Sequence, residues 1–315
     1  MISVIIPNLN GQHHLKTCFD SLRAQSINDF IIVLVDNNSS DDSVKFTEEN
    51  YPEIRIIRNN TNNGFAKAVN QGIKYSLEKI KSEFIILLNN DTECDKEFLK
   101  EMVNGFKSED TGSVACKMLN FTDRKIIDDA GDFIKEKGSP YARGFGENDV
   151  GQYDEPEFIF GACAGASAYR SEVFSAAGFF DEDFFAYYED VDFSFRLQLA
   201  GYKCFYNPKA VVYHKRGATT KSREGFQVML CEKNLIALRL KNYPMSMLLS
   251  GLPFFLIVRV KRYLLFLINE SFSVFISAVK GYIKGISEIP ASIRKRKSVQ
   301  KTRVVSADYL KSILK

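Results

Sequence analysis

Three short apolar runs, at residues 4–6, 31–35 and 84–88, constrain this 315-residue chain more than any other feature. Each is rich in β-branched residues or Leu, lacks alternation, and stops abruptly at polar residues, as strands buried on both faces of a parallel sheet do. A weaker run lies at 54–57. Between them, residues 14–25 place Leu15, Cys18, Phe19 and Leu22 on one helical face, and residues 42–50 and 65–79 are patterned similarly. Strand and helix in alternation imply right-handed crossovers and a parallel sheet. Ligands of such sheets bind beyond the carboxyl ends of the strands. Those ends read Pro7-Asn8-Leu9-Asn10, Asp36-Asn37-Asn38-Ser39-Ser40-Asp41 and Asn89-Asn90-Asp91, so polar side chains gather where a site is expected.

Residues 105–160 mix Gly, charges and short apolar pieces and read as an insertion with weak strands. A second dense region follows, with the small-residue loop Gly161-Ala162-Cys163-Ala164-Gly165-Ala166, then Phe179-Phe180-Asp181-Glu182 and Tyr187-Tyr188-Glu189-Asp190-Val191-Asp192. A helix is expected from about Glu189 to Gly201. Short strands at 204–206 and 210–213 should lead to His214.

Four places carry candidate chemistry. Asp36, at a strand end, can accept a hydrogen bond from the imide N–H of a pyrimidine; the run after it also suits a turn and a helix cap. Asp91 follows a buried strand, where a carboxylate is costly unless solvated or paired, for instance with Mg²⁺ or Mn²⁺, and an Asx-type turn is the alternative. Glu189, Asp190 and Asp192 crowd one helix start. The helix dipole favours acids there, but three within four residues exceed what capping needs, and a carboxyl whose pKa is lifted by like-charged neighbours can act as a general base. The aromatic residues before them, Tyr188 included, could stack on a sugar or serve the core. His214 could join Asp91 on a metal as a neutral imidazole.

The six cysteines are scattered without a C-x-x-C pair, which argues against a disulfide framework or zinc site. The opening apolar run is too short for a signal peptide and has no basic stretch before it. No G-x-G-x-x-G follows the first strand, as a dinucleotide oxidoreductase needs. A nucleotidyltransferase should show a Gly-rich basic loop there, which Pro7-Asn8-Leu9-Asn10-Gly11 is not. A sugar-nucleotide-binding protein without transferase activity would not need the Glu189–Asp192 carboxylates.

Taken with Asn63-Gly64-Phe65-Ala66 and Gly178-Phe179-Phe180-Asp181-Glu182, these motifs resemble, in order and over about residues 3–217, the family 2 inverting glycosyltransferases with the GT-A fold. The nearest flavour is that of bacterial rhamnosyltransferases of cell-surface polysaccharide synthesis. The resemblance implies an α/β, Rossmann-like mixed sheet flanked by helices, with a C-terminal helical segment. It also implies a metal-dependent hexosyltransferase moving a sugar from a nucleotide diphosphate donor, dTDP-rhamnose or a UDP-sugar, to a saccharide or polyprenyl-linked acceptor. By the same resemblance, Pro7, Asn8, Asn10, Asp36, Asn63 and Asn90 would line the nucleotide. Asn89 and Asp91 would hold the ends of the D-x-D motif, and His214 would complete a Mg²⁺ or Mn²⁺ site. Asp190, with Glu189 beside it, would be the base, and Asp192 and Tyr188 would face the acceptor. Asn89 departs from the Asp usual at the first D-x-D position.

Charge divides the chain at about residue 240. Residues 240–315 hold 14 Lys/Arg against 3 acidic residues, a balance of +11; the remaining 28 basic and 36 acidic residues give −8. The run at 242–258 is apolar and uncharged but shorter than the ~20 residues a spanning helix needs, and it is closed by Arg259, Lys261 and Arg262. Residues 1–240 are therefore expected to be catalytic. Residues 241–315 are expected to be a basic amphipathic tail on the anionic inner face of the cell membrane. A helical subdomain or a homodimer contact is the alternative, and nothing beyond the basic cluster points to nucleic acid.

Overall fold

The computed structural model describes residues 1–135, 139–215 and 224–314. Its first half winds as the apolar runs require: β1 (Ile2–Asn8), α1 (Gln12–Arg23), β2 (Phe30–Asp36), α2 (Ser43–Asn50), β3 (Arg55–Arg58), α3 (Gly64–Tyr75) and β4 (Phe84–Leu88). β1 pairs in parallel with β2 on one side and β4 on the other, and β2 pairs with β3. Val4 and Ile6 pack on Leu15, Phe19 and Leu22 of α1, whereas Ile5, Val33 and Val35 pack on Val69 and Ile73 of α3. Both faces are covered, which is why these runs show no alternation.

The chain continues through β5 (Thr92–Cys94), α4 (Phe98–Asn104), β6 (Thr111–Asn120), β7 (Ile127–Asp129), β8 (Asp132–Ile134), β9 (Pro140–Ala142), β10 (Glu157–Ile159), β11 (Ala166–Arg170), α5 (Val173–Ala176), α6 (Glu189–Leu199) and β12 (Lys203–His214). The main sheet runs β10-β12-β6-β11-β4-β1-β2-β3. β11 lies antiparallel between β4 and β6, so the sheet is mixed.

Two expectations need correction. Residues 105–160 are not only an insertion: β6 is a buried strand inside the main sheet. Its sequence hides this because Lys117 sits mid-strand, buried, with Asp149 at 3.1 Å and Asp154 also paired to it. The two short strands before His214 are one strand, β12, whose register against β6 shifts between Asn207 and Val211. Pro208, which cannot donate to a ladder, occupies that irregularity.

Five helices follow: α7 (Glu224–Asn242), α8 (Met245–Asn269), α9 (Phe272–Ser287), α10 (Ile289–Lys301) and α11 (Ala307–Ile313). α7 runs through residue 240. α8 continues through Pro253 and past the basic residues expected to close it, because Arg259 and Arg262 pair with Glu232 of α7. Among the described residues no helix is long and apolar enough to cross a membrane.

Candidate active site

The parallel register puts Asn8 beside Asp36 at the carboxyl ends of β1 and β2. Asn8 Nδ2 donates to Asp36 Oδ1 (3.0 Å), and Asn90 Nδ2 donates to Asn8 Oδ1 (2.7 Å). Asp36 also accepts from Ser39 Oγ (2.5 Å) and the Ser39 amide (3.0 Å). One chain of side-chain bonds therefore crosses three adjacent strand ends. Gly11 permits it: a Cβ there would stand 2.1 Å from Asn90 Nδ2. Pro7 is half-buried at the end of β1. Asn10 is exposed, in the left-handed region, and accepts from the Ser40 amide (2.7 Å). Asn63, half-buried, occupies the N-cap position of α3. The structure thus gathers Pro7, Asn8, Asn10, Asp36 and Asn90 around one edge, although Asp36 is buried and already holds three hydrogen bonds.

Beyond β4, Asp91 Oδ1 lies 3.2 Å from His214 Nε2, and His214 Nδ1 lies 2.8 Å from Asp128 Oδ2 on β7. Burial alone would lower the His214 pKa, but Asp128 and Asp91 outweigh it and raise it to about 9. Burial pulls Asp91 upward, yet His214 leaves it below the ordinary carboxylate value. The backbone N–H of Asn89 donates to Gly165 O (2.8 Å), and a Cβ on Gly165 would stand 3.3 Å from Asn89 Nδ2. A hard carboxylate oxygen and an imidazole oriented by a second carboxylate are a donor set that fits Mg²⁺ or Mn²⁺, with the ion taking the place of the Nε2 proton that the raised pKa otherwise keeps on His214. Two protein ligands would leave the rest of the shell to substrate phosphates and water.

His14 was assigned no role by sequence reasoning, yet α1 brings it here. It is buried, with Nε2 unpartnered among the described residues and Nδ1 3.5 Å from Lys215 Nζ. Asp128 was also missed. Both sat outside any recognisable motif, and only the fold brings them to His214 and Asp91.

The third part is the start of α6. Asp190 Oδ2 accepts from the Ala164 amide (3.2 Å) and Oδ1 from the Val191 amide (2.8 Å). Burial raises its pKa even against these donors. Asp190, Asp132 and Cys163 have ligand atoms within 4.8 Å of one another, the one such three-residue group among the described residues. The small-residue loop joins this carboxylate to the strand end: Ala164 holds Asp190 while the neighbouring Gly165 receives the Asn89 amide.

Three neighbours of Asp190 are wholly or partly buried. Glu189 is buried with Oε2 unpartnered among the described residues; burial, then Asp190 and Asp192, push its pKa well up. Asp192 is 0% exposed and cannot meet an acceptor. It binds Arg196 Nε (2.9 Å), Lys241 Nζ (2.8 Å) and Asn242 Nδ2 (2.7 Å), and the two cations overcome burial to lower its pKa. The Tyr188 side chain is half-buried, and its hydroxyl meets Cys231 of α7.

The loop that delivers Asp190 is strained. Phe185, Tyr187 and Tyr188 all have positive φ, which costs energy for non-glycine residues and persists only where surroundings enforce it. Asn234 of α7 enforces it, its Nδ2 lying within reach of the carbonyls of Phe184 (3.0 Å), Ala186 (2.9 Å) and Tyr187 (2.7 Å). From the other side the loop presses on α3, where Ala66 N donates to Phe185 O (3.2 Å). Gly64, at φ +80°, is required there, since a Cβ would lie 2.6 Å from the Phe185 ring.

Residues 3–177 match the family described as glycosyl transferase family 2. The low-salt glycan biosynthesis hexosyltransferase Agl10 of Haloferax volcanii is 26% identical over 200 residues, covering 62% of this chain and 61% of that protein. The N-acetylglucosaminyl-diphospho-decaprenol L-rhamnosyltransferase of Mycobacterium tuberculosis is 23% identical over 243 residues, covering 70% and 78%. Among solved structures, GalNAc-T7 with UDP, GalNAc and Mn²⁺ superposes with a TM-score of 0.62 at 17% identity, covering 78% of this chain and 48% of that one. The chain thus spans less than two thirds of Agl10 and about half of GalNAc-T7; the latter likeness is one of fold, the GT-A fold.

Proposed function

The chain belongs to glycosyl transferase family 2, and from that footing we propose that it transfers a sugar, with inversion, from a nucleotide diphosphate donor to a hydroxyl of a saccharide or lipid-linked saccharide. dTDP-rhamnose or a UDP-sugar is the donor class, a reading supported by the mycobacterial rhamnosyltransferase and by the UDP in GalNAc-T7. The observation that carries the proposal is the loop of Ala164 and Gly165, which ties Asp190 to the end of β4. Through this loop Asp190, the proposed proton acceptor, is linked to the strand end that leads into Asn90 and Asp91.

In this mechanism Asn8, Asp36 and Asn90 shape the nucleotide pocket, with Pro7, Asn10 and Asn63 at its rim. Asp190 takes the proton of the acceptor hydroxyl. The acceptor oxygen forms a bond to the anomeric carbon as the bond to the diphosphate breaks on the opposite face, and the diphosphate leaves with that electron pair. Mg²⁺ or Mn²⁺ held by Asp91 and His214 would offset the charge gathering on the leaving group. The Mn²⁺ in GalNAc-T7 supports such an ion. Asn89, at the other end of the motif, would stand beside the ion while its backbone N–H ties the strand end to the loop.

We further propose that residues 1–240 carry the reaction and that residues 241–315 hold the protein to the cytoplasmic face of a membrane. The basic balance of the tail supports this, as does the decaprenol carrier in the mycobacterial relative's name. The role is then in cell-surface polysaccharide synthesis.

The test is release of nucleotide diphosphate from radiolabelled UDP- and dTDP-sugars with Mn²⁺ and saccharide acceptors. Asp190→Asn should lose roughly 10²–10⁴-fold in kcat while nucleotide binding, read by thermal shift, is kept. Absence of release with every donor, or an Asp190→Asn variant as fast as the parent, sinks the proposal.

A further inference from the structure

α8 buries one face and leaves the other to solvent, and the exposed face is the apolar one. Its inward positions, Met247, Gly251, Phe255 and Arg259, recur every four residues and pack toward α7 and α9. Its outward ridge is Leu249, Leu252, Leu256, Val260, Leu264 and Leu267, at steps of three and four, and every one is exposed. Ile257 (65% exposed) and Ile268 (75% exposed) widen it, and Phe272 (70% exposed) extends it onto α9. A soluble surface rarely carries an apolar strip this continuous without a partner.

The ridge cannot rotate inward. Glu232 of α7 pairs with Arg259 and accepts from Arg262 Nε (3.0 Å) and Tyr263 OH (2.9 Å), which fixes the azimuth of α8. Charge decides what covers it. Lys261, Lys280, Lys284, Arg294 and Lys297 are exposed on α8, α9 and α10, while Glu270 is the exposed acid on these helices. An apolar strip on a helical segment that carries exposed cations complements an anionic bilayer, whose acyl boundary takes the apolar residues and whose headgroups take the cations. The arginines of the inward face rule against crossing, since a spanning α8 would carry Arg259, Lys261 and Arg262 through hydrocarbon.

We propose that the outward ridge of α8, continued by Phe272, inserts into an anionic lipid surface with the helix axis in the membrane plane. This deepens the membrane part of the proposed function by assigning the inserting residues and their orientation.

The chain has no tryptophan, so single replacements report without background. Leu249→Trp and Leu256→Trp place the probe near the end and near the middle of the helix, about 10 Å apart along its axis, and exposed Val150→Trp serves as control. With vesicles of equal parts phosphatidylcholine and phosphatidylglycerol, both ridge probes should shift to the blue and be quenched equally by bromine-labelled acyl chains, and the control should not respond. Leu256→Glu with Leu264→Glu should weaken vesicle partitioning about a hundredfold, and Lys280→Ala about fivefold. Ridge probes blind to vesicles would overturn the proposal. So would unequal quenching depths, which mean a crossing helix, or a lipid-free dimer that shields the ridge, which means a second copy covers it. Donor turnover with a soluble saccharide acceptor, measured on the same samples, separates failure of insertion from failure of the transferase reading.

Discussion

A single carboxylate shows how finely side chains divide labour at the start of α6. Asp192 lies two residues from Asp190, yet Lys241 and Arg196 hold it ionised and buried. Asp192→Asn leaves two buried cations short of a partner, and a loss of about 3–5 kcal/mol in urea unfolding is expected near neutral pH. Because its folded pKa lies below 3.8, its contribution is complete above that value and disappears as pH falls through the folded pKa. The parent should therefore lose more stability than the variant as pH falls below 3.8. At the opposite edge, Mn²⁺ with UDP should raise the melting temperature of the parent, and Asp91→Ala or His214→Ala should abolish the part of that rise that depends on Mn²⁺. An equal rise in both variants would move the ion away from this pair.

Elements decide where these side chains point, and here α7 matters most. Asn234 sits within reach of three carbonyls of a loop with three left-handed residues. Asn234→Ala should release that strain, lowering kcat roughly tenfold or more with nucleotide affinity unchanged, since a buried polar bond set is worth about 1–3 kcal/mol. Asn234→Gln should recover part of it; loss of affinity in place of kcat would show a different role. The parallel strands and the start of α6 were legible in the sequence because apolar runs and clustered acids are local signals. β6 was not, because Lys117 masks a buried strand until Asp149 and Asp154 arrive from a distant loop. Glu189, Asp190 and Asp192 look equivalent in the chain, and only tertiary partners separate a buried carboxyl with an unpartnered oxygen, one held by two backbone amides and an ion-pair anchor. His14, Asp128 and Asn234 likewise acquire meaning only from neighbours far away in sequence.

At the scale of the whole molecule, the basic tail and the acidic body are interlocked. Lys241 and Lys295 both reach Asp181, Lys295 lies 2.6 Å from Asp183, and Asn242 joins Lys241 on Asp192. Cutting the chain after residue 240 removes all of these partners at once. The shortened chain is expected to be insoluble or unfolded by circular dichroism, whereas a tail that merely tethers would leave a folded remainder. The shared beam is α7, fastened to the loop of Asp190 through Asn234 and to α8 through Glu232. If α8 lies in the lipid as proposed, this described path of packed helix and hydrogen bonds would hold Asp190 at one fixed height above the membrane. The enzyme would then measure its acceptor, favouring carriers whose terminal hydroxyl stands at that height and passing over shorter or longer ones.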